Sequence, residues 1–596
     1  MGPTMTLNAA DWLIIVAYFV ASAFISLIYT RKASQSLDEY FVSGRALPWW
    51  LAGTSMVATT FSADTPLVVA GLVAKYGVAG NWLWWNGAVS GILTVFFFAR
   101  LWRRAGVLTD LEFAELRYGG KPAAALRGFR AVYLALPINL IIMGWVTRAM
   151  VTVLAISLHI DPWTAAILLF GVTAAYTIFS GLWGVVVVDT FQFVVKMGGV
   201  IVLAVLAVKS VGGLQELTRL SVQHFGSYEA AFGVLPPVDK AWLPVSTLIV
   251  FLSVQWWAAW YPGAEPGGGG YVAQRILAAK DERHGLLATL WFNIAHYALR
   301  PWPWILVGFV AVIRYPALPN PEEGYVRVMV DILPSPLKGL LLATFAAAYM
   351  STIGTHLNWG ASYLVNDVYL RFVNRAADRR SQVIASRVAT VVLMLASLVV
   401  MAYLKSVEQG WKILIGLGAG TGLVFILRWY WWRINAWSEI SAMAASFLAS
   451  IALHVAGVDA GDTASRDYAV AMVANVAFTT LVWVTVTFLT QPESPETLER
   501  FYRRVRPGGP GWRHVARKLG FGNESVPGGV LSWVNWLAGV VAVYASVFGV
   551  GAMLTRSVSV GAAYLVVAVG AFALIQRNLR HDPQLAPHVD SPPAGA

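Results

Sequence analysis

Apolar residues run along this chain in blocks close to twenty long, separated by short polar gaps, and the blocks recur from one end to the other. They fall near residues 12–29, 48–74, 82–102, 128–158, 162–179, 183–208, 242–261, 285–313, 338–369, 383–403, 411–430, 436–456, 469–488, 530–554 and 557–576. A bilayer core about 30 Å thick is crossed by a helix of about 20 residues, so the pattern predicts an all-α polytopic membrane protein with about 15 transmembrane helices. The first block follows Asp11 instead of a basic region and precedes Arg31 and Lys32. That reads as a retained span, not a removable leader. Two longer polar stretches, Lys209 to Lys240 and Gln491 to Gly529, have room for a short amphipathic helix, and the Pro- and Ala-containing tail from Asp582 is expected to be disordered.

Lys and Arg concentrate on cytoplasmic loops, so their distribution orients the spans. Alternate gaps carry them: Arg100, Arg103, Arg104, Arg117, Lys121 and Arg127 fill one, Arg371, Arg375, Arg379 and Arg380 another, and Arg500 to Lys518 a third. The intervening gaps hold few, such as Lys75, Lys209, Lys240 and Arg314. The alternation predicts an odd number of spans in a cell (inner) membrane, with the N-terminus outside and the C-terminus in the cytoplasm.

Composition agrees with a bilayer environment. Hydrophobic residues make up 58% of the chain and charged residues 12%, with a mean hydropathy of +0.62. The net charge of +12 would suggest a nucleic-acid partner in a water-soluble protein, but here the basic residues belong to the gaps between spans. There is no cysteine, which excludes disulfides and thiolate metal sites. No His-Glu-x-x-His or Gly-x-Ser-x-Gly sequence is present and the nine histidines are scattered, so neither an enzyme nor an organic cofactor is expected.

Interrupted apolar segments at matching positions of two halves point to a transporter's binding site. The second block carries Ser55-Met-Val-Ala-Thr-Thr-Phe-Ser-Ala-Asp-Thr-Pro66 in its middle. The seventh runs into Trp256-Trp-Ala-Ala-Trp-Tyr-Pro-Gly-Ala-Glu-Pro-Gly-Gly-Gly-Gly-Tyr271, where two prolines and the glycine run defeat a continuous helix. The two lie five spans apart. An odd repeat of five helices, each opened by a broken one, gives the inverted repeats of the leucine-transporter-type fold. The divisions expected are 1–47 for an extra span and loop, 48–208 for the first five-helix repeat, 209–241 for an outer loop, 242–430 for the second repeat, 431–576 for further spans and 577–596 for a cytoplasmic tail.

Five motifs in order then resemble the sodium:solute symporters, a family that includes sodium/proline, sodium/glucose and sodium/sialic acid transporters. They are Asp38-Glu-Tyr-Phe-Val-Ser-Gly-Arg-Ala-Leu-Pro-Trp-Trp50, Leu108-Thr-Asp-Leu-Glu-Phe-Ala-Glu-Leu-Arg-Tyr-Gly119, Val188-Asp-Thr-Phe-Gln192, Gln274-Arg-Ile-Leu-Ala-Ala-Lys280, and Met350-Ser-Thr352 with Asn366-Asp-Val-Tyr369. The resemblance implies symport of a small organic solute with sodium by alternating access. It places sodium between the carbonyls of Ala58, Phe61 and Ala348 and the hydroxyls of Ser351 and Thr352. A hard cation wants such oxygens, and a helix break frees carbonyls to supply them. The competing reading of the two hydroxyls is back-bonding to carbonyls one turn earlier.

Asp189, inside the sixth block, matches an aspartate that the family uses in ion coupling, and with Thr355 suggests a second cation position. Its nearest basic neighbour, Lys196, is seven residues away, about 10 Å along a helix and out of contact. For the solute, the resemblance and the intramembrane polar residues point to Thr60, Ser62, Asp64, Thr65, Arg148, Trp257, Trp260, Tyr261, Tyr271 and Arg300. Arg148 and Arg300 suggest an anionic group; the alternative is that each caps a helix end or pairs with an acid. A proton-coupled or facilitative carrier of the same fold competes with sodium symport, and a transporter-like sensor is a minor alternative.

Overall fold

The computed structural model describes residues 7–33, 43–107, 110–176, 182–235, 244–259, 265–458, 466–582 and 585. Trp260 and Tyr261, and the tail expected to be disordered beyond Asp582, lie outside the described residues, apart from Leu585. Among the described residues every named element is a helix, with one isolated bridge between Leu47 and Ala279. Lipid offers no partner for an open N–H or C=O, so each span closes its hydrogen bonds within itself.

A helix or an interrupted helix coincides with each of the fifteen apolar blocks. By length and composition, nine helices among the described residues suffice to cross a membrane, and eleven if each of two bent pairs is one span. The expected fifteen therefore stands at nine to eleven on this measure. The shorter helices Ala9–Ser22 and Val245–Ala258, the Pro162–Tyr176 helix, and the segment split into Glu282–Ile294 and Pro301–Arg314 do not reach it alone.

The first bent pair is Trp49–Thr60 with Thr65–Tyr76, at 61°, where the polar patch of the second block predicts a break. The helix of the seventh block ends at Ala258, with Ala259 extended, and the next helix among the described residues is Gly270–Ala278. The second bent pair, Val407–Gly418 with Gly422–Tyr430 at 47°, falls in a block that was expected to be one unbroken span. Its cause is the run Gly416-Leu-Gly-Ala-Gly-Thr-Gly422: Gly420 takes φ +86 and its N–H leaves the helix to donate to the Ala258 carbonyl at 2.8 Å.

Packing fixes these pieces around the first break. The Trp49–Thr60 half lies against the Glu282–Ile294 and Leu182–Ser210 helices, and a Cβ on Gly53 would fall 2.5 Å from the Ala288 carbonyl oxygen. The Thr65–Tyr76 half lies against Pro301–Arg314, where Gly308 approaches the Ala70 backbone. Small residues at such crossings let helices approach closely where no hydrophobic effect drives them together. The Leu337–Ser362 helix is tied down at its start by Asp11, which accepts from the Gly339 N–H at 2.9 Å, and further along by Asn139, which donates to the His356 carbonyl at 2.9 Å. In the polar stretches, the Leu214–Phe225 helix follows the sixth block, and the Pro495–Val505 helix buries Leu498, Phe501, Tyr502 and Val505 on one face.

Candidate functional site

The break in the second span grows out of the end of the Trp49–Thr60 helix. Phe61 leaves helical geometry at φ −92, ψ 68, while its N–H still reaches the Val57 and Ala58 carbonyls, both at 3.1 Å. The chain turns through Ser62, Ala63 and Asp64 and resumes as a helix at Thr65, with Pro66 in the first turn, where a missing N–H does no harm.

A helix that stops inside an apolar slab leaves its last carbonyls without intrahelical donors. Side chains supply them at Thr60 and Phe61, and add to the Val57 carbonyl, which the Phe61 N–H already reaches. The Thr60 hydroxyl donates to the Val57 carbonyl at 2.8 Å and the Thr65 hydroxyl to the Thr60 carbonyl at 3.2 Å. Arg300 Nη1 donates to the Val57 carbonyl at 3.1 Å and to Thr60 Oγ1 at 3.0 Å. The Lys196 ammonium donates to the Phe61 carbonyl at 3.0 Å. Two buried cations thus stand at the C-terminal end of one half-helix, where the peptide dipoles converge with their negative ends. Both also stand over the Phe61 ring, at 5.5 and 5.8 Å from its centroid.

Each cation comes from a different element. Lys196 projects from the Leu182–Ser210 helix, and Arg300 follows the wide π-type turn Ala295–Leu299. His296 in that turn hydrogen-bonds through Nδ1 to Arg300 Nη2, and the same nitrogen lies 3.1 Å from Thr60 Oγ1. The geometry of Arg300 is that of a helix cap, the alternative to a solute anchor.

Asp189 is buried on the same helix as Lys196, two turns earlier on the same face. It accepts from the Ser55 hydroxyl at 2.8 Å and faces Arg275 Nη2 at 3.9 Å. Arg275, from the Gly270–Ala278 helix, also reaches Ser55 Oγ and Thr59 Oγ1, each at 3.4 Å. The partner of Asp189 is therefore an arginine 86 positions away in sequence, which spacing along one helix does not reveal.

The other sequence-selected residues divide by location. Ser62, Asp64 and Thr65 are buried at the break, and Asp64 accepts from Trp411 Nε1 at 3.2 Å. Ala348, Ser351, Thr352 and Thr355 share the Leu337–Ser362 helix, which touches the Trp49–Thr60 helix. Thr352 donates back to the Ala348 carbonyl at 2.9 Å and Thr355 to the Ser351 carbonyl at 2.8 Å. Arg148, half-buried on the Asn139–Leu158 helix, has no hydrogen-bond partner at its buried Nε. Trp257 donates to its own helix at the Ser253 carbonyl, and Tyr271 lies under the Arg275 guanidinium. Lys196 as a ligand of the break, Arg275 and His296 were not selected from sequence; the signal for Lys196 was its charge within an apolar block, since intramembrane ionisable residues are functional by default.

The Asp189–Arg275 contact makes a prediction. Asp189→Asn should lower stability in detergent by about 3–5 kcal/mol, because removing one member of a buried pair strands the other charge. Asp189→Asn combined with Arg275→Gln should restore part of that loss. Equal melting temperatures for the single variant and the parent protein would rule the pair out as a structural element.

The sodium:solute symporter family profile matches residues 40–447, more than half of the chain. Among curated proteins, the chain is 24% identical over 493 residues to sodium/glucose cotransporter 1 of Oryctolagus cuniculus, covering 74% of this chain and 72% of that one. It is 24% identical to sodium/myo-inositol cotransporter 2 of Sus scrofa, covering 75% and 70%. Among solved structures, a Na+-coupled sialic acid symporter in a substrate-bound outward-open state superposes with a TM-score of 0.64 at 20% identity, over 82% of this chain and 99% of that one, which shows a common fold. With the broken span, the intramembrane charges and the profile match in agreement, this chain belongs to the sodium:solute symporter family, membrane transporters that couple solute movement to sodium.

Proposed function

We propose that this symporter moves a small organic solute into the cell with sodium by alternating access, through two inverted five-helix repeats, 48–208 and 242–430, within a fifteen-span chain whose N-terminus is outside. The observation that carries the reading is the pair of interruptions, at Phe61–Asp64 and between Ala258 and Gly270, five spans apart in the sequence. Broken helices supply unpaired backbone oxygens at mid-membrane depth and let half-helices tilt as units.

Sodium is assigned to the Ala58, Phe61 and Ala348 carbonyls with Ser351 and Thr352. The back-bond from Thr352 to Ala348 is the arrangement of the competing reading, yet it is compatible with this use, because a hydroxyl that donates its proton keeps its lone pairs for a cation. Uptake should fall to background when sodium is replaced by choline, and Thr352→Ala should raise the half-saturation for sodium about 10- to 100-fold, the weight of one hydrogen-bond-strength interaction with a charge. Unchanged sodium dependence in Thr352→Ala would remove this residue from the site, and undiminished uptake in choline would favour a proton-coupled or facilitative carrier. Asp189, already facing Arg275, is read as half of an ion pair bracing the first half-helix, so a second sodium at Asp189 and Thr355 is not part of the proposal.

With Arg300 committed to the Val57 carbonyl, Arg148 is the remaining candidate for an anionic group on the solute. Arg148→Lys should then reduce uptake of a carboxylate-bearing solute, since an ammonium cannot give the two-pronged contact of a guanidinium. A neutral sugar or polyol as sole substrate, transported equally by the variant, would end that assignment.

The absence of cysteine allows the orientation to be read directly. Single cysteines replacing Lys209 and Arg375, both exposed, should react with an impermeant maleimide from outside and only after permeabilisation, respectively. Labelling of both from one side would overturn the alternation of loops.

A further inference from the structure

The inner stretch 491–529 leaves and re-enters the helix bundle at positions that face lipid. The helix before it ends at Leu489, 81% exposed, and the Gly529–Thr555 helix after it opens with Val530, 78% exposed. Apolar side chains so open in a bilayer protein lie against acyl chains. Trp437 and Trp533, both exposed, stand at the inner ends of their spans, and tryptophans gather at headgroup level. The stretch is fastened there: Asn435 donates to Thr490 Oγ1 at 2.8 Å and to the Gln491 carbonyl at 3.0 Å.

The apolar face of the stretch is turned to the protein. Leu498, Phe501, Tyr502 and Val505 are buried, and Trp512 Nε1 donates to the Trp429 carbonyl at 2.7 Å. A basic face is left outward. Arg500, Arg503 and Arg504 are three and four residues apart and share the other side of the Pro495–Val505 helix, and Arg513 and Arg517 stand one turn apart on the Arg513–Lys518 helix; all five are exposed. The acids of the stretch are engaged elsewhere: Glu493 accepts from the Gly119 N–H at 2.8 Å, Glu496 sits in the first turn of its helix, Glu499 pairs with Lys518 at 2.7 Å, and Glu524 pairs with Arg506. Among the described residues, none of the five arginines has a carboxylate within ion-pair distance. Arg577 and Arg580, exposed at the end of the last span, extend the same side, since Asn578 between them donates to Asn535 at 2.8 Å near the start of the Gly529–Thr555 helix. Orientation in the membrane requires basic residues on this side of the bilayer, but not their assembly on one outward face of a folded element.

We propose that this arginine face is a docking surface for the phosphate headgroups of anionic phospholipids in the cytoplasmic leaflet. This rests on the orientation proposed above, with the stretch inside. A guanidinium offers paired N–H donors that match phosphate oxygens, and arginines clustered immediately cytoplasmic of a span meet a surface already rich in negative lipid. Nucleic acid carries the same phosphate chemistry, but a surface bounded on both sides by lipid-facing chain and tryptophans has headgroups as its immediate neighbours.

The purified full chain in mixed micelles holding equal phosphatidylglycerol and phosphatidylcholine tests this, with retained lipid counted by mass spectrometry after gel filtration. Phosphatidylglycerol should be favoured by about fivefold for each arginine in contact, the weight of one basic residue at an anionic surface. In about 1 M salt, where the screening length shrinks to about 3 Å, the preference should disappear. Arg503→Gln, Arg504→Gln and Arg513→Gln combined should lose most of it at an unchanged melting temperature, since all three side chains are exposed. Arg503→Lys, Arg504→Lys and Arg513→Lys combined should keep most of it, because the attraction is to charge. Equal retention of both lipids by wild type, or an unchanged preference in the folded glutamine variant, overturns the docking surface and leaves the topology standing. Displacement of the lipid by inorganic phosphate at matched ionic strength would make this a small-anion site, and displacement by a short DNA oligonucleotide a nucleic-acid site; either overturns the proposal. Labelling of Arg517→Cys by an impermeant maleimide from outside would overturn the topology, and with it the leaflet named here.

Discussion

A carbonyl left without a donor in the middle of a bilayer is the constraint around which this protein is arranged. Ending the Trp49–Thr60 helix at Phe61 exposes such groups where lipid and close-packed side chains give no water to satisfy them. An unpaired buried polar group costs about 1–3 kcal/mol, so a break of this kind persists only if other elements bring donors to it. Lys196 at the Phe61 carbonyl and Thr65 at the Thr60 carbonyl are those donors, while Arg300 and the Thr60 hydroxyl add to the Val57 carbonyl that the Phe61 N–H already reaches. Because Lys196 and Arg300 come from different helices, capping the break also fixes where those helices must lie.

The same arrangement explains why charged residues are tolerated at that depth. An isolated guanidinium or carboxylate in an apolar interior is strongly disfavoured, but each one here has a counterpart across a helix boundary: Asp189 with Ser55 and Arg275, Asp64 with Trp411, Arg300 with Val57 and His296. These contacts join the first half-helix to the Gly270–Ala278 helix, the part that follows the seventh block. The two interrupted segments are therefore linked by polar contacts as well as by apolar packing. That kind of joint can exchange partners when an ion or solute arrives.

Away from the break, the arginine-rich loops are drawn into denser networks. Arg127 bridges Glu115 at 2.7 Å and Asp367 at 2.5 Å, and Arg371 closes on the same Glu115. Glu439, fully buried, collects the Tyr118 hydroxyl at 2.6 Å together with Arg428 and Arg130. Glu115 and Tyr118 of the Leu108–Gly119 motif take part in one network each, and Asp367 of the Asn366–Tyr369 motif in the first. Their recognisable sequence reflects fixed charge partners at one end of the bundle rather than contact with the break.

Much of this was legible in the sequence, because the bilayer imposes its own period: a run of about 20 apolar residues marks a helix wherever it occurs. The positions of both principal breaks also followed locally, from Pro66 and from the prolines and glycines before Tyr271. The 47° bend at Gly418–Gly422 did not, since glycines inside an apolar run are compatible with a straight helix until a neighbour, here the Ala258 carbonyl, offers the freed N–H a partner. The sequence also placed Asp189, Lys196, Arg275 and Arg300 within or beside the membrane, yet their pairings belong to the fold alone. Hydrophobic periodicity depends on neighbours within one helix, whereas a buried charge is satisfied by whichever helix packs beside it. Sequence alone determined that this chain crosses the membrane many times and breaks there; tertiary structure decided that Lys196 and Arg300 stand at the break, because only helix packing brings residue 196 to the carbonyl of residue 61 and residue 300 to that of residue 57.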